Sequence, residues 1–208
     1  MLTLIRREIQ DNLVYALAPC AVSAMCIGAM IYASFVGVEV AMPAIICSTL
    51  LLLASFVGFS ILGAAQMYGD RARRISPLLS TLAVTRHRIL AARVLVGILA
   101  VLLATVPVLA TAVILLRMFA PPLEFYRRMV VEIFLTAVLM GTACYSIGLL
   151  VGWTTNRAWL ILGNFLLLTL CVSLMGVKGF GPEVMLLLLV FIAAVWGRTW
   201  HKFTSASL

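Results

Sequence analysis

Charge is scarce in this sequence, and negative charge scarcest: 7 aspartates and glutamates occur in 208 residues, and all charged residues together make up 11%. Soluble domains carry about 25%, so an ordinary water-soluble fold is excluded. No polar stretch is long enough to fold separately, which leaves one domain over residues 1–208. Cysteine is also sparse. Cys20, Cys26, Cys47, Cys144 and Cys171 are odd in number, scattered and mostly inside apolar runs, which fits isolated small hydrophobes and not a disulfide framework or metal site.

Catalytic motifs are missing as well. There is no HExxH pair, no GxSxG elbow and no GxxxxGK[ST] phosphate loop, and His87 and His201 stand alone. Asp70 is a single acid among arginines, suited to an ion pair. No intrinsic catalysis and no cofactor are therefore expected in this chain. Nor does any apolar run hold a convincing buried carboxylate of the kind that proton- or sodium-coupled transporters use, so energy for transport would come from elsewhere.

What is present is hydrocarbon: 64% of residues are hydrophobic and the mean hydropathy is +1.19. A membrane-spanning helix needs about 20 largely apolar residues. Six runs qualify: Tyr15–Val36, Ala44–Ala65, Ile89–Leu116, Val130–Val151, Ala158–Met175 and Val184–Trp200. The first residues, MLTLIRREIQDN, lead into a full-length apolar run and not into a short one with a cleavage site, so no cleavable signal peptide is expected. Ahead of that run, Leu2, Ile5, Ile9 and Leu13 recur at helical spacing with Arg6, Arg7, Gln10 and Asp11 on other faces. This predicts an amphipathic helix in the interface over residues 3–14. The fold class expected is all-α integral membrane, six transmembrane helices preceded by that interfacial helix.

The net charge of +8 would point to nucleic acid in a soluble protein; here its placement sets orientation instead. With the amino terminus inside, Arg6, Arg7, Arg71, Arg73, Arg74, Arg86, Arg88, Arg93, Arg157, Arg198 and Lys202 fall on the cytoplasmic side, and Arg117, Arg127, Arg128 and Lys178 outside. That asymmetry predicts cytoplasmic termini. Arg93, near the inner end of span three, and Glu132, near the outer end of span four, can both reach headgroups by snorkelling. Asn164 is the most interior strongly polar side chain, placed to bond a neighbouring helix or a passing substrate. Small residues four apart, Ala24 with Gly28, Ser60 with Ala64, and Cys144 with Gly148 and Gly152, predict close helix contacts within the chain.

The most polar stretch is QMYGDRARRISP, residues 66–77. Ser76 before Pro77 reads as a helix start that would put Leu78, Leu79 and Leu82 on one side of a short helix, and Thr85 begins another that runs into the third span. Two readings follow: the leucines and flanking arginines form a docking surface for a second protein, or they lie against the chain's own helix ends while the arginines serve topology.

The order of elements and the run from Asp70-Arg71-Ala72-Arg73-Arg74-Ile75 through Leu78-Leu79, Ala83-Val84-Thr85-Arg86 and Ile89-Leu90-Ala91-Ala92-Arg93 resembles the membrane (permease) subunit of ABC-2 type exporters. Ala83, Arg74-Ile75 and Pro77 depart from the family's common pattern. The resemblance implies that residues 66–90 form a cytoplasmic coupling loop seated on a cytosolic ABC ATPase. Leu78, Leu79 and Leu82 would be its apolar contacts, Arg86 and Arg88 anchors, and Arg71, Arg73 and Arg74 flanking charges. It also implies a prokaryotic inner membrane location, a second identical or related membrane subunit, and ATP and Mg on the partner ATPase. The rival expectations are a heme-exporter-like permease subunit and a non-transporting membrane scaffold or sensor that recruits a soluble partner.

Overall fold

The computed structural model describes residues 13–36, 38–72, 86–119, 124–152, 158, 162–163, 165–167, 169–170, 173 and 181–205. Every element among them is helical: α1 (Leu13–Val36), α2 (Val38–Ala72), α3 (Arg86–Phe119), α4 (Glu124–Val151) and α5 (Pro182–Ser205). Positions 158, 162–163, 165–167, 169–170 and 173, inside the fifth apolar run, are helical too. The third, fourth and sixth runs are thus matched by α3, α4 and α5, whose stretches Ile89–Leu115, Val131–Val151 and Pro182–Lys202 are each long and apolar enough to cross a bilayer. The described side chains of Leu17–Tyr32 in α1 and Leu53–Tyr68 in α2 form apolar stretches too. The architecture is that of a multi-pass membrane protein. Residues 3–12 of the expected interfacial helix lie outside the described residues, and Leu13 and Val14 open α1.

Helices and apolar runs do not end together. α2 has 35 residues and α3 has 34; at 1.5 Å per residue each is about 50 Å long, well past a hydrocarbon core of about 30 Å. Length beyond the membrane needs no apolar side chains, only continued backbone pairing. α5 starts with Pro182 at the first helical position, where a missing N–H costs no bond, and Glu183 beside the helix's positive end. Pro19 and Pro107 sit inside α1 and α3. Proline in a helix interior leaves a backbone carbonyl unpaired, a defect that spanning helices tolerate when neighbours compensate.

α4 is the centre of the bundle. The buried share of its span is 61%, against 28% for those of α3 and α5, and residues 140–149 are buried without interruption. α2, α3 and α5 all pack on it, while α1 lies against α2 and α3. The core gathers Phe56, Phe59 and Leu62 of α2, Val101 and Ala104 of α3, Met140, Tyr145 and Leu149 of α4, and Leu188 and Ile192 of α5. The outward faces are apolar as well: Leu95, Leu99, Leu103, Val106 and Ile114 form a stripe along α3, and Leu186, Leu189 and Val190 project from α5. Large exposed apolar faces are a liability in water and the ordinary surface of a protein in lipid.

α2 and α4 run in the same direction and touch backbone to backbone. Ser60 faces Cys144 and Gly148, Gly63 faces Tyr145 and Leu149, and Ala64 and Met67 face Gly152. A Cβ on Gly63 would meet the Tyr145 carbonyl oxygen at 2.5 Å, and one on Gly152 would meet Met67 Cβ at 2.6 Å. The small residues expected at this spacing in α2 and α4 therefore pack together, with Gly63 added between them. Ser60 Oγ donates across the seam to the Cys144 carbonyl at 2.9 Å. The third small pair behaves differently: Ala24 is exposed and, among the described residues, Gly28 has no neighbour that a Cβ would meet within 4 Å.

Hydroxyls inside the helices turn back on their own backbone. Ser23 donates to the Pro19 carbonyl at 2.8 Å, Thr105 to Val101 at 2.7 Å, Thr136 to Glu132 at 2.7 Å and Thr199 to Val195 at 2.8 Å. In hydrocarbon an unpaired hydroxyl is costly, and the carbonyl one turn earlier is the nearest acceptor.

Candidate functional site

Of the residues singled out for coupling, Arg73, Arg74, Leu78, Leu79 and Leu82 lie outside the described residues, as does Asn164. Arg71 falls in the last turn of α2, and Arg86 and Arg88 in the first turn of α3. The two ends of the charged stretch are therefore helical, with α3 starting one residue after Thr85, where a helix start was expected.

Just inside those ends lies a buried polar cluster that joins α2, α3 and α4. Gln66 and Arg93 are 3% and 2% exposed, and Tyr145 is fully buried. The Tyr145 hydroxyl is 2.7 Å from the Gln66 side-chain amide and 2.9 Å from the Arg93 backbone carbonyl. A phenol has one proton to give, and a carbonyl can only accept. The Tyr145 proton is therefore shared between two acceptors, the Gln66 side-chain carbonyl and the Arg93 backbone carbonyl. Arg93 Nη1 reaches Met67 Sδ at 3.6 Å.

Arg93 does not snorkel. Hydropathy places a residue by its depth along a helix, and depth alone allowed a guanidinium to reach headgroups; the face of α3 on which it sits points it into the bundle, against α2. A charge there is costly unless its donors are engaged, so its surroundings are part of what holds the end of α2 to the start of α3. Glu132 is half-buried near the start of α4, and its backbone carbonyl accepts from Thr136.

Tyr145 can reach this position only because of Gly97. A Cβ on Gly97 would fall inside the Tyr145 ring, so the ring lies flat on bare α3 backbone with its hydroxyl one turn lower, at Arg93. In sequence, Gln66, Arg93 and Tyr145 are isolated residues in or beside apolar runs; their one common signal is a polar side chain near the same end of spans two, three and four. From Gln66, α2 continues six residues to Ala72, and α3 begins seven residues before Arg93, so both helices project about 10 Å beyond the cluster to flank residues 73–85.

A second polar link ties α4 to α5. Trp196 Nε1 donates to Ser146 Oγ at 2.8 Å, and Ser146 donates onward to the Thr142 carbonyl at 2.6 Å. Trp196→Phe is expected to lower stability by about 0.6 kcal/mol, the average worth of an interhelical hydrogen bond in a membrane protein. Ser146 keeps its own acceptor in that variant. Thermal melting in detergent checks this, and a loss of several kcal/mol would mean that the indole carries more than this bond.

Among the described residues no group of three or more His, Cys, Asp or Glu side chains is placed to hold a metal ion, and Cys20, Cys26 and Cys144 are present as thiols. No family model, curated protein or solved structure matches the chain.

Proposed function

We propose that this chain is the membrane-spanning subunit of an ATP-driven transporter of the ABC-2 exporter type, in which residues 66–90 take up the motion of a separate cytosolic ATPase. The observation that carries this reading is the Gln66–Tyr145–Arg93 cluster. It pins the two helices flanking the most polar stretch of the chain to each other and to the central helix α4. Force applied to residues 73–85 would then reach the middle of the bundle without being lost in a loose tether, because packed helices shift as units. Leu78, Leu79 and Leu82 are the apolar contacts to the ATPase in this reading, with Arg71, Arg73, Arg74, Arg86 and Arg88 around them.

The same reading puts both termini in the cytoplasm of a prokaryotic cell and the chain in its inner membrane. ATP and Mg bind the partner, and a second membrane subunit completes the transporter. Its direct rival is a scaffold or sensor that recruits a soluble protein through the same stretch without nucleotide.

Co-purification of the intact chain from its native cell in mild detergent or nanodiscs, alongside Leu79→Asp and Arg86→Glu, tests the proposal. A nucleotide-binding subunit should be retained by the native chain and weakened tenfold or more by each change, as expected for a central contact worth at least about 1.4 kcal/mol. Failure to recover any ATPase under several mild conditions would remove the transporter reading. Recovery that ignores both substitutions would keep the complex and remove the role given to the charged stretch. A soluble partner without nucleotide-binding capacity would favour the scaffold.

A further inference from the structure

A guanidinium taken out of water is costly unless an opposite charge stands near it, and Arg93 is buried in the interior of the bundle. Its Nη1 lies 3.6 Å from Met67 Sδ, but a thioether is neutral and a weak acceptor. The chain has 7 acids from which a counter-charge can come. Four of them stand toward the opposite end of the bundle. Glu39 is the second residue of α2, Glu124 and Glu132 lie in the first part of α4, and Glu183 is in the first turn of α5. Glu132 precedes Tyr145 by 13 residues and Glu183 precedes Trp196 by as many, which is about 20 Å of helix. Glu8 and Asp11 lie outside the described residues. Asp70 remains, and it belongs to the last turn of α2.

Helix register brings position 70 to Arg93. Phe59, Gly63, Gln66 and Asp70 follow one another at steps of four, three and four, the spacing that keeps residues on one side of a helix. The first three of these face inward: Phe59 and Gln66 are buried, and Gly63 touches the backbone of α4. At about 100° per residue, position 70 falls between Gln66 and Met67 when α2 is viewed down its axis, one turn further on.

The depth matches too. Phe59 and Val101 both lie within 4 Å of where a Cβ on Gly141 would stand, and Met67 meets Arg93. α2 and α3 are therefore antiparallel, with positions 59 and 67 beside 101 and 93. Three residues beyond Met67, position 70 is level with Leu90. Long side chains on a helix lean toward its amino terminus, and from Arg93 that direction leads to the same level.

We propose that Asp70 is the counter-charge of Arg93, a positioning residue that keeps the guanidinium inside the bundle and the last turn of α2 against the start of α3. The pair closes the Gln66–Tyr145–Arg93 cluster on the side of residues 73–85. Its nearest competitor is Arg86, two turns before Arg93 on the same side of α3. The inference concerns the folded chain alone and does not depend on the transporter reading.

The test is a set of double-variant cycles on the intact chain, with unfolding followed as dodecyl sulfate is titrated into mild-detergent micelles. Asp70→Asn and Arg93→Met should each lower the folded-to-unfolded ratio by about a hundredfold, since each strands one buried charge. The double variant should lose less than either single one, because no charge is then left unpaired. In an Arg93→Lys background, which keeps the charge, Asp70→Asn should remain as costly as in the native chain. Asp70→Asn with Arg86→Met should be additive, as should Glu8→Gln or Asp11→Asn with Arg93→Met. If Asp70→Asn yields no folded protein, recovery of monodisperse protein on size exclusion replaces the ratio, and adding Arg93→Met should restore it. Additive losses for Asp70 and Arg93, or no restoration, would overturn the pair. So would a cost of Asp70→Asn that vanishes in the Arg93→Lys background, or coupling of Asp70 to Arg86, or of Glu8 or Asp11 to Arg93, in its place.

Discussion

Gly148→Leu should leave almost no folded protein, and Gly148→Ala should melt earlier by about 1–3 kcal/mol or more, the usual cost of overpacking a tight core. A Cβ at this position would stand 2.8 Å from the Ser60 carbonyl carbon and 3.0 Å from the Ala64 nitrogen. Both are backbone atoms of a long helix. A flexible side chain could swing aside, but α2 can relieve the overlap only by moving bodily away from α4, which would open the seam from Ser60 to Gly152 and break the Ser60–Cys144 bond. Gly28 is the control. No described residue lies within 4 Å of its absent Cβ, so Gly28→Ala should be neutral or stabilising by about 0.5–1 kcal/mol, the ordinary helix preference for alanine over glycine. Thermal melting monitored by size-exclusion chromatography compares the three. If Gly148→Leu melts like the native chain, α2 and α4 are not in contact as described.

The second large effect is conditional. Gly97→Ala should be severely destabilising in the native background and nearly harmless once Tyr145 is shortened, because the three atoms nearest the new methyl all belong to the Tyr145 ring. Tyr145→Ala alone should cost about 3–5 kcal/mol, as removal of a buried aromatic does. The interaction between the two changes is expected at the upper end of the 0.5–3 kcal/mol found for contacting residues. Additive losses would show that the ring does not rest on α3 at Gly97. Tyr145→Phe separates packing from polarity: it keeps the ring and removes the hydroxyl, leaving the Gln66 amide without that partner, at a cost of about 1–3 kcal/mol for a buried unsatisfied group.

Much of this arrangement was legible from residue order. Apolar length located α1, α3 and α5 within a few residues, and Thr85 marked where α3 begins. The spacing of Ser60, Ala64, Cys144, Gly148 and Gly152 foretold a close contact. Spacing could not say which small pairs would meet: Ala24 and Gly28 have the same pattern and, among the described residues, Ala24 is exposed and Gly28 has no neighbour in reach of a Cβ. The helix ends of α2 and α4 were missed because hydropathy reports where lipid is, and a helix continues into water as long as its backbone stays paired. Arg93 was misplaced for a related reason, since its orientation depends on a partner helix far away in sequence. Tyr145 is the hardest case. Nothing in its own neighbourhood distinguishes it from any interfacial tyrosine, and its position depends on a missing side chain 48 residues earlier. The residues proposed for coupling, together with Asn164, fall at positions where the structure describes no side chain, so their test is the co-purification above.

The hydroxyls that bond back to their own helices have one more consequence. Ser23, Ser55, Thr105, Thr136, Thr142 and Thr199 have given their protons to carbonyls of the same helix, and Ser60 and Ser146 spend theirs within the α2–α4 pair. Among the described residues the middle of the bundle therefore holds hydroxyls that can still accept a hydrogen bond but have no proton left to donate, so a group there that needs a donor would find few in exchange for its lost hydration.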